Sequence, residues 1–209
     1  MFNLNFTICL MKKTLSIIAT VAAFAGLGLA SGTVAHAANT TSANTNANIT
    51  LKSGNPDEGA GGIILNSAPS YDFGTVTLDG SAKSVSGTAT GDVKITNPGV
   101  ASGWKLTVSN SAMTDGTNTF KSGNLVLTST GAKAEGENST TVTTPASVSL
   151  NMSGTNSAQV LSADANQGLG IWDGNYTGAT LDVPADAVAT SDGSAYSSKL
   201  TWTLANSVN

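Results

Sequence analysis

Few residue types in this 209-residue chain could carry chemistry. Cys9 and His36 are its single cysteine and histidine, and both fall within the first 37 residues. Downstream of them neither a Ser-His-Asp nor a Cys-His arrangement can be assembled, and zinc loses its usual ligands. Thirteen Asp and Glu leave room for a carboxylate pair of the glycosidase kind. No acid sits in a context that singles it out, so the expectation is a protein that is not an enzyme and holds no metal or cofactor. Asp164-Ala165-Asn166-Gln167-Gly168 has the look of half a calcium loop. Its glycine comes one position early and no glutamate closes it, so a turn stabilised by Asp and Asn side chains is expected.

What remains is recognition by aromatic side chains. Trp172, Asp173 and Tyr176 lie in the glycine-rich run Gly168-Leu169-Gly170-Ile171-Trp172-Asp173-Gly174-Asn175-Tyr176. Such a run reads as a loop, and loops carry binding groups more often than strands do. Trp172 with Tyr176 could form a platform for a glycan; the alternative is a plug over one end of the fold. The other two tryptophans stand in a repeated Trp-x-Leu context, Trp104 with Leu106 and Trp202 with Leu204. An exposed ring at these places could stack on a sugar or fill a partner's pocket. The spacing of two residues instead points both pairs into a sheet interior, the commoner fate of large aromatics in strands.

The elements that must position these residues are strands. Leu200, Trp202 and Leu204 alternate with Thr201 and Thr203, and Trp104, Leu106 and Val108 share one face in the same way. Further strands are expected at 62–66, 71–78, 92–97, 124–129, 147–152 and 180–183, with Val and Thr as frequent fillers. Asn97-Pro98-Gly99 and Asp115-Gly116 are turn signals, the first read as joining 92–97 and 104–109 in a hairpin. Pro184-Ala185-Asp186-Ala187-Val188 could make one helical turn; a sustained 3.6-residue apolar period is absent after residue 37. The expected fold is an all-β antiparallel sandwich of Ig-like or Greek-key type with eight or more strands and no substantial helix.

Lys12-Lys13, the apolar run 15–30 and Ala35-His36-Ala37 together read as a secretory signal peptide over residues 1–37. Met11 is the expected start, since it gives a leader of ordinary length. The run is too short and too rich in Gly and Ala for a membrane span, so no transmembrane anchor is expected. Residues 38–61 read as a flexible polar lead-in and 62–209 as one domain. After residue 37 the chain has 7 lysines against 13 acids, a formal charge of −6, and neither Arg, Cys nor His. Such a balance excludes the electrostatics of nucleic-acid binding. A sparse-charge surface rich in Gly, Ser, Thr, Asn and Ala suits an extracellular β-protein.

In order, a leader, Tyr71-Asp72-Phe73-Gly74, Trp104-Lys105-Leu106, Gly170-Ile171-Trp172 and Leu200-Thr201-Trp202-Thr203-Leu204 resemble the WxL-domain family of Gram-positive cell-surface proteins. Two ordered Trp-x-Leu motifs are more specific than either alone, and the match spans nearly all of the chain after the leader. The resemblance implies non-covalent attachment to the cell wall through peptidoglycan, assembly with companion surface proteins encoded beside such domains, and contact with host extracellular matrix. A second function also fits it: an adhesion or assembly subunit whose primary contact is a companion protein, with wall association indirect. One departure is the sequence Ala205-Asn206-Ser207-Val208-Asn209, where family members often carry a proline. Without a Leu-Pro-x-Thr-Gly signal and a hydrophobic tail, covalent anchoring is not expected.

Overall fold

The computed structural model describes residues 46–54, 62–190 and 194–207. The leader expected over 1–37 and most of the polar segment 38–61 lie outside the described residues. Residues 48–209 cluster as one unit, and that unit is all-β, with no helix among the described residues.

Twelve strands follow in chain order: β1 Ile64–Ser67, β2 Ser70–Asp72, β3 Lys83–Thr90, β4 Lys94–Asn97, β5 Gly103–Asn110, β6 Asn124–Thr128, β7 Lys133–Ala134, β8 Ser147–Asn151, β9 Ser157–Ala163, β10 Gly170–Asp173, β11 Gly178–Val183 and β12 Leu200–Ser207. They form three antiparallel sheets, ordered β1-β4-β10-β7, β2-β3-β11-β6-β8 and β12-β5-β9. The period of two sets their inner faces. Leu125 and Leu127 of β6, Val148 and Leu150 of β8, and Leu181 and Val183 of β11 are buried on one sheet. Trp104, Leu106 and Val108 of β5 are buried on another. These faces join in one apolar cluster, the arrangement of a β-sandwich.

The two Trp-x-Leu strands are hydrogen-bonded neighbours. β12 pairs with β5 along its whole length, Trp202 opposite Val108 and Leu204 opposite Leu106. Four expectations need correction. Residues 92–97 and 104–109 are not a hairpin, because β4 and β5 belong to different sheets and Asn97-Pro98-Gly99 is the crossing between them. Of the segment 71–78 only the first two residues are strand; 73–79 runs as irregular chain. Residues 184–187 form a reverse turn closed by Ala187 N–H to Pro184 C=O at 3.1 Å, not a helical turn. The run 168–176 is not all loop either, since β10 pairs with β4 on one side and β7 on the other.

Candidate functional site

The proximal motif is core. Trp104 and Leu106 have no exposed surface, and the Trp104 indole N–H donates to the Gly168 carbonyl at 3.2 Å. Gly168 has φ +62°, and a Cβ there would stand 2.5 Å from the Ala163 Cβ and 2.6 Å from the Trp104 Nε1. The turn 164–168 therefore closes on the indole because residue 168 has no side chain. Asn166, at φ 62°, makes the bend, and its N–H reaches Ala101 C=O at 2.8 Å.

Trp172 uses the next carbonyl along. Its indole N–H donates to Leu169 C=O at 2.9 Å and its surface is 6% exposed. Tyr176 is fully buried, and its hydroxyl donates to Val160 C=O at 2.8 Å. The aromatic platform suggested by Trp172 and Tyr176 is thus not formed: both rings face the interior. Asp173 sits at a different surface, where Lys94 approaches it at 3.7 Å while pairing more closely with Glu135. The missed signal is Asp92, whose carboxylate accepts the N–H groups of Val93 at 2.7 Å, Tyr176 at 3.0 Å and Asn175 at 3.1 Å. That cradle, with Asn175 in the left-handed region at φ 48°, turns the chain so that Tyr176 points inward.

The distal motif differs. Trp202 and Leu204 are half-buried and pack on the core from its margin. The Trp202 ring meets Tyr176 edge-on at 6.4 Å, and the Tyr71 hydroxyl donates to the Tyr176 backbone carbonyl at 2.9 Å. Burial raises the Tyr176 hydroxyl to about 12, and raises Tyr71 further, the Asp92 carboxylate adding to the effect.

Trp202 is half-buried because it lines a cleft of about 1000 Å³. Tyr71, Val76 and Leu78 line it together with Tyr196, Leu200 and Trp202. Among the described residues Asp72 is the single charged one in its lining. Phe73, also in the lining, lies on β3, where a Cβ at Gly87 would come within 2.5 Å of its ring. Phe120 and Tyr196, both in the lining, meet at a 45° tilt with ring centroids 4.9 Å apart.

β12, which gives Leu200 and Trp202 to the lining, is also a sheet edge. Ser111 N–H donates to Lys199 C=O at 2.9 Å, which sets the phase of the β5–β12 ladder. In that phase the N–H and C=O groups of Leu200, Trp202, Leu204 and Asn206 point away from β5. Among the described residues no strand pairs with that side. The opposite margin is closed, because β8 and β9 adjoin and Thr143 exchanges hydrogen bonds with Ser162 at 2.7 and 3.0 Å. The sandwich is shut along one seam and open along the other.

Fold and site together define a β-sandwich in which Trp104 of the proximal motif is core, Trp202 of the distal motif sits at the core's margin, and a cleft lies beside the open edge of β12. Among the described residues no three metal-ligating side chains converge and no helix is long and apolar enough to cross a membrane. Residues 37–207 match the family model described as WxL domain, surface cell wall-binding. The chain belongs to the WxL-domain family. Neither the curated proteins nor the solved structures contain a match to it.

Proposed function

We propose that this is a secreted binding protein of the Gram-positive surface, without catalytic activity, held to the wall non-covalently through peptidoglycan. The family match over residues 37–207 carries the reading, because the unit formed by 48–209 fills nearly all of that range. The reading is tested by sedimenting residues 38–209 with peptidoglycan stripped of protein and of anionic polymers. Pelleting with the wall is expected. With a formal charge of −6, the bound fraction should change little as salt rises from ~0.1 to ~1 M and the Debye length falls from ~10 to ~3 Å. A protein left in the supernatant defeats direct wall binding, and steep loss with salt defeats its non-electrostatic character.

A second reading, an assembly subunit whose primary contact is another surface polypeptide, is favoured by the open edge of β12. Sugars are gripped by exposed aromatic faces and hydroxyl partners. The cleft has aromatic and hydroxyl side chains too, but β12 beside it adds a regular row of outward backbone donors and acceptors, the complement of an extended peptide. Companion surface proteins and host matrix are the partners it would serve.

A further inference from the structure

We infer that the cleft beside β12 is completed by an extended strand, residues 48–52, donated by a second copy of this chain. The inference concerns the cleft and not the wall contact, so either can fail while the other stands.

The acceptor is an edge without protection. Natural edge strands are usually short, bulged, or marked by lysine or proline. β12 is eight residues long, and Leu200-Thr201-Trp202-Thr203-Leu204-Ala205-Asn206-Ser207 has no charge and no proline. Its pairing with β5 runs without a register shift, so the outward groups of Leu200, Trp202, Leu204 and Asn206 form a regular row. Beside it the cleft leaves core side chains half covered, and Val188 at its lining is 50% exposed.

The donor is equally out of place where it lies. Ile49 is 82% and Leu51 81% exposed, and with Val188 they are the large exposed hydrophobics among the described residues. Asn48-Ile49-Thr50-Leu51-Lys52 alternates apolar and polar residues, as β12 does with Leu200, Thr201 and Trp202. Paired with β12, it would turn Ile49 and Leu51 into the cleft, leave Thr50 on the outer face, and satisfy the outward backbone groups. Five residues of strand span about 17 Å, shorter than β12 itself. The charges also agree: Lys52 is the one charged residue of 46–54, and Asp72 is the one charged residue lining the cleft among the described residues. In the single chain the segment stays in solvent, so the donor is another copy. Donor and acceptor are different surfaces, so copies can link head-to-tail into chains or close by reciprocal exchange of the strand.

The test is sedimentation velocity of residues 38–209 over a rising concentration series, beside the double variant I49D/L51D. Both positions are solvent-exposed, so the variant keeps its circular dichroism spectrum. The wild type is expected to shift to species heavier than one chain, and the variant to stay at monomer mass throughout. Hydrogen exchange gives a second readout. The amides of Leu200, Trp202 and Leu204 should be protected in the assembled wild type and exchange freely in the variant. A synthetic peptide of residues 46–54 should restore their protection in the variant. A wild type that is monomeric throughout, or assemblies that survive I49D/L51D, overturn the inference. A monomer whose β12 amides are protected in the wild type and lose that protection in the variant also overturns it, by showing that the chain's own segment fills the cleft.

Discussion

At the scale of single residues, three tryptophans in one small domain do different things. Trp104 is enclosed and its N–H is committed to Gly168 C=O; Trp172 is anchored on the adjacent carbonyl of Leu169. Trp202 meets Tyr176 in an edge contact and also lines the cleft. Substituting a buried aromatic by alanine removes its transfer energy and leaves a cavity, whereas a half-exposed one costs mainly the transfer part. Trp104→Ala should therefore lower unfolding free energy by about 3–5 kcal/mol, and Trp202→Ala by about 1.5–3 kcal/mol. Urea titrations followed by circular dichroism compare the two directly. Equal losses would mean that Trp202 is as enclosed as Trp104, and the cleft would not be open.

At the scale of elements, two glycines separate contacts that can yield from those that cannot. Gly123 precedes β6 at φ +98°, and a Cβ there would press on the Asp182 carbonyl of β11, while its own carbonyl accepts Met152 N–H at 2.9 Å. Backbone is on both sides, so Gly123→Ala should cost about 2 kcal/mol or more. Gly87→Ala meets only the Phe73 ring, which can swing aside, and its cost should stay under about 1 kcal/mol. Thermal melts of both variants check the order; a larger loss at Gly87 would show that Phe73 is fixed more firmly than its place in an irregular segment suggests. The same physics decides what could be read ahead of the structure. β5, β6, β8, β11 and β12 were legible because one face is buried and the other is not. β3 was not, since Lys83-Ser84-Val85-Ser86-Gly87-Thr88-Ala89-Thr90 offers only Val85 and Ala89 to an inner face and has glycine in the middle. Its ladders with β2 and β11 hold it. β9 hid behind adjacent Val160 and Leu161, both buried, where a register shift against β5 breaks the alternation. The stretch 73–78 looked like strand and finds no ladder. The cleft was illegible for the same reason: Tyr71, Tyr196 and Trp202 are brought together by topology, and no spacing in the chain announces it.

At the scale of the whole molecule, the interior is closed by tyrosines, and this fixes where stability should fail with pH. Tyr71 donates to Tyr176 C=O, and Tyr176 donates to Val160 C=O, so a half-buried and a fully buried phenol are both held neutral. Burial raises Tyr176 from 10.0 to about 12, and raises Tyr71 further, with Asp92 adding to the latter. The folded state thus binds these protons more tightly than the unfolded chain. The associated stability is fully present below pH 10 and is lost as pH rises through about 12. On the acid side the signs reverse. The Lys83 and Ser81 hydrogen bonds hold the Asp79 carboxyl below its ordinary range, and the Asn118 contacts do so for Asp115. Their contribution is present above about pH 4 and fades only below it, and since both groups are exposed it is small. The melting temperature should accordingly be nearly level from about pH 5 to 9 and fall steeply beyond 10. Tyrosinate absorbance should lag behind that of a free phenol and then rise together with loss of the circular dichroism signal. Tyr176→Phe makes the cause specific. It forfeits the bond to Val160 C=O, costing about 1 kcal/mol at neutral pH, yet it removes a proton that must be held, so its decline above pH 10 should be shallower than that of the wild type. If Tyr71 and Tyr176 ionise near pH 10 while the fold persists, neither hydroxyl is sealed in the interior, and the seam beside β12 must reach past Trp202 into the core.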